Sequence, residues 1–187
     1  MRVRERLPDL GMEVFSVVLA VLLALFVNEW RQDRADQKLA ERALTGVMDE
    51  VRSNRDELAS TVVDHQASLD TLHGAIAAID VGTDSSGRSV QYDVALLEGT
   101  SWETARMTQV IIYMDYDVVA QLSGIYELQG LYMRLTDNFV DNMLSQDRPG
   151  DIAEARDMYL HHVGYLSNLS KLGQQLLDEY DGILQPE

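Results

Sequence analysis

The chain has 187 residues, a length suited to one folded unit with a sizeable core. Because it contains no Cys, disulfides, zinc ribbons, iron–sulfur clusters and thiol nucleophiles are excluded. Asp and Glu number 31 against 15 Lys and Arg, and the net charge of −16 repels phosphate backbones, so we expect no nucleic-acid partner. Residues 1–42 hold equal numbers of basic and acidic groups, so the acidic excess lies in residues 43–187.

An apolar stretch near the start predicts a transmembrane helix over residues 10–27, which read LGMEVFSVVLAVLLALFV with Glu13 near one end. A bilayer core takes about 20 apolar residues, so the length alone is marginal. The flanks favour a span. Trp30 follows at the depth of an aromatic belt, and Arg31 and Arg34 can reach the headgroups, so these three form an expected interface anchor.

Two alternatives to an anchor are a buried helix of a soluble protein and a cleaved signal peptide. Charge-dense neighbours on both sides disfavour the first. The second lacks an A-x-A pair, since residues 24–28 read ALFVN. Residues 1–9 form a short basic tail that resists translocation, so we expect a bacterial inner-membrane protein with a cytoplasmic N-terminus and a periplasmic C-terminal domain.

Small or polar residues recur every four positions along the predicted span, at Ser16, Ala20, Ala24 and Asn28. Such a face lets a second membrane helix approach closely, and Asn28 suits an interhelical hydrogen bond. We therefore expect contact with another membrane protein or self-association, in addition to the lipid bilayer. The alternative is a stripe that faces lipid only.

A heptad rhythm follows, after a charged juxtamembrane helix over residues 28–43. From residue 44 to residue 79, eleven positions are separated alternately by four and three residues, and nine are apolar. The apolar members are Leu44, Met48, Val51, Leu58, Val62, Leu69, Leu72, Ile76 and Ile79. This pattern predicts a long helix that continues from the anchor and packs in a coiled coil or bundle.

The two exceptions, Arg55 and His65, are polar seam positions. A polar group there commonly sets register or partner choice at some cost in stability. The alternative is that they line a ligand pocket between helices.

The second half of the chain predicts a loop over residues 81–91 and a weak strand-like alternation over residues 92–97. Thr100 and Glu103 form a T-x-x-E capping box that opens a short helix. A third helix begins at Asp115 or Asp117 and ends near residue 146.

The last predicted helix begins at a D-x-x-E element, Asp151 to Glu154, and ends near Leu184. Three long helices with short connections predict an all-α, up-down antiparallel bundle over residues 44–187, with the short helix at its side or end.

No nucleophile or nucleotide motif is present, and we expect neither an enzyme nor a cofactor. The candidate metal ligands are two pairs, Asp70 with His73 and Asp157 with His161, each within about one helical turn. Di-iron bundles use paired E-x-x-H motifs, which this sequence lacks. We therefore expect no metal site and keep metal binding as a third hypothesis.

Residues 13–58 resemble the N-terminal part of a family of uncharacterised bacterial membrane-anchored proteins, in which an apolar helix ends in Asn-x-Trp, here residues 28–30, and enters a charged helix. Residues 101–129 are similar to the family's second segment, with Leu122 and Tyr126 as its Leu-x-x-x-Tyr pattern. The resemblance implies a membrane anchor and a helical domain, and no site residues.

These patterns together favour a single-pass, non-catalytic bundle that acts by protein interaction, as an accessory subunit or assembly factor. The alternative is an extracytoplasmic bundle that senses a ligand.

Overall fold

A computed structural model describes residues 7–83, 90, 92–145 and 149–185. Over these residues the chain is helical without strands, which confirms the predicted all-α class. The helices are α1, Leu7–Asp80; α2, Thr100–Met107; α3, Tyr116–Ser145; and α4, Ile152–Leu184; a short 3-10 turn covers Val110–Tyr113.

Helix α1 is 74 residues long, or about 110 Å, and confirms the predicted continuity of the apolar stretch with the first bundle helix. The described side chains before Asp36 are all exposed, and the first buried one is Ala40. The helix ends in a Schellman motif, in which the Thr83 N–H reaches the Ala78 carbonyl and Gly82 adopts a φ of 76°. Most of the predicted loop 81–91 lies outside the described residues.

Helix α4 runs antiparallel to α1 and packs along it. Arg55 Nε contacts Asp181 Oδ1 at 2.9 Å, and Arg156 Nε contacts Asp80 Oδ1 at 2.7 Å. The two ion pairs lie 25 residues apart on both helices, so the register is constant. All four side chains are over a third exposed, so the pairs mark the edges of the interface more than they stabilise it.

The second leg of the bundle is the segment 92–107, which runs antiparallel to α1, toward the apolar N-terminal segment of that helix. Residues 92–99 are extended, without a sheet partner in the described part of the chain, and the rest is α2. The chain then turns and α3 climbs back, packing on α4. The result is an up-down bundle, as predicted, but its second leg is residues 92–107, half extended and half helical, and not the next long helix.

Local capping explains where α3 and α4 start. Asp115 Oδ1 accepts from the Asp117 N–H at 2.9 Å, and Asp151 Oδ1 accepts from the Glu154 N–H at 2.8 Å, which confirms both predicted starts. The predicted T-x-x-E box of α2 is wrong. The cap position is Gly99, which has no side chain to accept a bond.

The core lies along α1 in two parts. Its larger part joins α1 to α2, α3 and α4 through Val47, Val51, Leu58, Trp102, Leu122, Ile125, Tyr132, Leu176 and Tyr180. A smaller part near the far end joins α1 to α4 through Leu69, Leu72, Ala75, Tyr159 and Leu166.

The buried row of α1 keeps the predicted spacing but is displaced by one residue at every second step. It comprises Val47, Val51, Asn54, Leu58, Thr61, His65, Ser68, Leu72 and Ala75. Leu44, Met48, Val62 and Ile76 are half-buried at its flank. At Asn54 the displacement has a physical cause, because its amide bonds the Glu98 backbone, whereas a hydrophobic count selects its neighbour in the predicted spacing. Leu69, a predicted member, is buried as well.

Candidate functional site

The small face of the apolar segment is exposed along its whole length. Ser16, Ala20, Ala24 and Asn28 lie on one side of α1, and no other described element covers them. At about 100° per residue they span roughly a third of the helix circumference. This part of α1 is long and apolar enough to cross a membrane, and none of its apolar window is buried.

The predicted interface residues follow directly. Trp30 is half exposed, and the guanidinium carbon of Arg34 lies 4.2 Å from the centre of its ring. This cation–π contact holds an aromatic ring and a positive charge at one level of the helix, and Arg31 is exposed at the same level.

Inside the bundle, side chains of α1 bind the backbone of the second leg, both in its extended part, residues 92–99, which we call the extended leg, and at the start of α2. We call this set the polar clamp, consisting of Glu50, Asn54 and His65 together with Gln129 of α3. All four are buried, with exposed fractions between 0% and 6%. The extended leg lacks a sheet partner, so its backbone polar groups need these partners instead.

Asn54 is the centre of the clamp. Its Oδ1 accepts from the Glu98 N–H at 2.8 Å and its Nδ2 donates to the Glu98 carbonyl at 2.7 Å, so one amide satisfies both backbone groups of one residue. Gln129 Nε2 donates to the same carbonyl at 2.8 Å, and its Oε1 accepts from the Tyr180 hydroxyl at 2.6 Å. Helices α1, α3 and α4 and the extended segment thus meet at Gln129.

Glu50 supplies the cap that α2 lacks. Its carboxylate accepts from the Ser101 N–H at 2.7 Å, the Trp102 N–H at 3.4 Å and the Tyr126 hydroxyl at 2.6 Å. A negative charge at a helix N-terminus is favourable, and here it comes from another helix. Burial and the neighbouring Glu50 carboxylate raise the pKa of Tyr126, so its hydroxyl remains a donor. The Tyr126 ring stacks on Trp102 at 5.3 Å.

His65 holds the upper part of the leg. Its Nε2 lies 2.8 Å from the Asp93 carbonyl, which can only accept, so Nε2 carries the hydrogen. Nδ1 is buried without a hydrogen-bond partner among the described residues. Burial lowers the pKa of His65, which keeps the ring neutral.

Tyr92 and His162 make a second contact of this kind, with the Tyr92 hydroxyl 2.7 Å from Nδ1 of His162. Burial raises the pKa of Tyr92 to about 12 and lowers that of His162. The ring of Tyr92 also meets Phe139 edge-on at 5.3 Å, so the start of the extended leg is fixed between α3 and α4.

The two predicted polar seam positions have different environments. His65 is buried in the row that faces the extended leg. Arg55 lies at the margin, where its side chain is 39% exposed and pairs with Asp56 and Asp181. Both ion pairs and their hydrogen bonds raise the pKa of Arg55, so it stays charged. Neither side chain lines the grooves beside residues 92–107.

Several open grooves border the second leg, among them one of about 640 Å³ between residues 94–98 and α3, and two that adjoin α2. One, of about 560 Å³, lies between α2 and α3 beside Gly99, Trp102, Arg106, Tyr126 and Gln129. The other, of about 390 Å³, lies between α1 and α2 near the apolar segment and is lined mostly by small or apolar residues: Leu39, Arg42, Ala43, Gly46, Thr104, Ala105, Thr108 and Val110.

The candidate metal pairs are spread along the bundle surface. Asp70, His73, Asp157 and His161 are all exposed. No group of three acidic, His or Cys side chains among the described residues is placed to hold a metal ion.

Of the polar clamp, only His65 is indicated by the sequence pattern. Glu50 and Asn54 fall outside the apolar heptad positions of α1, so their polarity predicts exposure to solvent. The polarity of Gln129 predicts the same in α3. The available signal was the segment 92–99, which is too short for a bundle helix and needs partners for its backbone.

Comparisons of this chain with protein-family models, with curated proteins and with solved structures found no match.

Proposed function

We propose that this chain is a single-pass membrane protein whose acidic bundle acts by binding another protein, without catalysis of its own. The observation that supports this most is the apolar segment of α1, which is exposed over its whole described length and continues without a break into the bundle. The buried polar groups of the clamp support the non-catalytic part of the proposal, because their hydrogen bonds hold the bundle together.

The contact surface in this proposal is the small face of the anchor. Asn28 and Gly46 are 18 residues apart, or five helical turns, so they point the same way from α1. A partner helix that lies along Ala20, Ala24 and Asn28 would therefore continue into the groove at Gly46, between α1 and α2. The anchor face and the groove form one extended strip for a second helix.

The test is the double substitution Ala20→Leu and Ala24→Leu in the full-length chain, extracted from its own membranes in mild detergent. Native mass spectrometry should show a complex with the natural chain and its loss with the variant, since larger side chains prevent close helix approach. The matched control is Val18→Leu with Leu22→Ile on the opposite side of the anchor, which should keep the complex. An unchanged complex in the double variant would exclude this face.

For localisation we propose the bacterial inner membrane, with the residues before the span in the cytoplasm and the acidic bundle in the periplasm. A long domain is translocated largely regardless of its charge, so the −16 net charge is compatible with export. A C-terminal fusion to an enzyme that folds only outside the cytoplasm should be active. Activity of a cytoplasm-only reporter at the same position would reverse the orientation.

The second candidate is a ligand-sensing bundle, favoured by the 560 Å³ groove beside Trp102, Tyr126 and Gln129. Aromatic faces with a few polar groups are typical of small-molecule sites. A ligand that binds only the folded chain raises its melting temperature. A small-molecule screen should therefore find stabilisers whose effect is lost in Trp102→Leu, whereas equal stabilisation of that variant would place the ligand elsewhere.

A further inference from the structure

The end of the bundle nearest the apolar segment carries large exposed apolar side chains. Met107, Ile112, Tyr113 and Tyr116 are 76%, 68%, 48% and 81% exposed. They come from the end of α2, the 3-10 turn and the start of α3, which meet here because α2 descends and α3 climbs. We call these four residues the apolar end.

The turn that carries the apolar end has a defined shape. Gln109 adopts a left-handed conformation with a φ of 59°, and the 3-10 turn Val110–Tyr113 follows. Val110 is 2% exposed and fixes the turn to the core, while Ile112 and Tyr113 project outward. The exposed side chains are therefore held on a packed turn.

This turn lies beside the part of α1 that follows Trp30. The Asp36 and Asp33 carboxylates adjoin the Tyr113 hydroxyl and raise its pKa, and Val110 lines a groove with Leu39. Asp33 is three residues beyond Trp30, which is about 4.5 Å along the helix axis. The apolar end thus stands next to the expected interface anchor.

Bilayer dimensions place the apolar end within a few ångströms of the headgroup layer. If residues 10–27 fill the hydrocarbon core, the headgroup layer covers about 5–7 Å more, or roughly three to five residues of α1. Asp33, about 9 Å beyond Val27, then lies just outside this layer, and Asp36, about 13.5 Å beyond Val27, lies about 7 Å outside it. The apolar end therefore reaches the headgroups when the bundle tilts toward the membrane on this side. A tilt of about 20°, which is usual for a membrane helix, lowers a neighbouring element about 10 Å away by about 3 Å.

The chemistry of this end also fits lipid. Tyr combines an apolar ring with a polar tip and is enriched at membrane interfaces. Residues 29–42 of α1 carry four basic and four acidic groups, but Asp115 and Asp117 flank Tyr116, so this end has a net negative charge. A headgroup layer without net charge, such as that of phosphatidylcholine, would not repel it.

We propose that the apolar end dips into the headgroup layer of the bilayer and forms a second membrane contact beside the anchor. This inference rests on the membrane anchoring proposed above. One transmembrane helix leaves rotation and tilt free, whereas a second contact on one side of it fixes both. The bundle would then present one defined side to a partner.

The absence of Cys makes a direct test possible with single-cysteine variants of the full chain. Ile112→Cys and Tyr116→Cys place an environment-sensitive fluorophore at the apolar end. Phe26→Cys is the anchor control, and Leu144→Cys, which is 81% exposed at the far end of α3, is the matched control in water. Each labelled chain is reconstituted at one copy per phosphatidylcholine nanodisc, with and without headgroup-labelled quencher lipid.

The expected result is blue-shifted emission and lipid quenching at positions 112 and 116, with neither at position 144. Quenching at position 26 without quenching at 112 and 116 would overturn the second contact and leave the anchor intact. No lipid quenching at position 26 would overturn the anchor and the second contact together. A blue shift at 112 or 116 without lipid quenching would assign this end to protein and also refute the proposal.

Discussion

Replacing Glu50 by Gln tests whether α2 depends on a cap supplied by another helix. The natural carboxylate accepts from two backbone N–H groups and from the Tyr126 hydroxyl. A Gln oxygen can keep the bond to Tyr126, but its amide group then faces the Ser101 N–H, donor against donor. A hydrogen bond to a charged group contributes about 1.5–3 kcal/mol, and an unsatisfied buried donor costs about 1–3 kcal/mol. We expect a loss of about 2–4 kcal/mol in the free energy of unfolding.

In a domain of this size that loss lowers the melting temperature by about 5–15 °C. Trp102 reports on α2 directly, because the chain has two Trp and a Trp30→Phe background leaves only this one. Glu50→Gln should move the Trp102 fluorescence transition in urea to lower concentration, and near-ultraviolet circular dichroism should lose the signal of the Trp102–Tyr126 stack. Glu57→Gln makes the same chemical change at an exposed site of α1. If the free energies of unfolding of the two variants agreed within about 0.5 kcal/mol, the capping role would be refuted.

Acidification should destabilise the bundle. The pKa values of His65 and His162 are lowered from 6.5 in the folded chain, so below pH 6.5 the unfolded chain binds protons that the folded chain does not. The free energy of unfolding then falls by up to about 1.4 kcal/mol per pH unit for each ring, and His65→Gln, but not the exposed His73→Gln, should reduce the slope measured by urea titration. Gly173→Ala should lower the free energy of unfolding by about 1–3 kcal/mol, because the new Cβ would lie 2.9 Å from a neighbouring methyl group. Gly164→Ala, which has open space, should raise it by about 0.5–1 kcal/mol. Thermal melts that rank the two variants otherwise would contradict this packing.

Much of the architecture follows from local signals in the sequence. The Asp151 and Asp115 caps and the heptad rhythm of α1 gave helix positions that the structure confirms. These features depend on contacts within a few residues, which a single sequence displays directly. The resemblance to a membrane-anchored family and the choice of the anchor face remain predictions.

The register of the α1 seam and the cap of α2 could not be obtained in this way. Asn54 is buried beside the extended residues 92–99, and Glu50 is buried beside the first residues of α2. Glu98 lies 44 residues from Asn54 in sequence. A pattern that scores each residue by its own polarity assigns both Asn54 and Glu50 to solvent. Their burial becomes predictable only once residues 92–102 are placed between α1 and α3.

The order of elements along the chain has a consequence for folding. Helix α1 is synthesised first, but its long partner α4 comes last, and Arg55 and Asp181 are 126 residues apart. Contacts at such separations slow folding, because much chain entropy is lost before they form. Until then the inner face of α1 stands unpaired. Asn54, Thr61, His65 and Ser68 divide that face into shorter apolar patches, which limits premature association of newly made chains. Two of these residues, Asn54 and His65, later bind the extended leg.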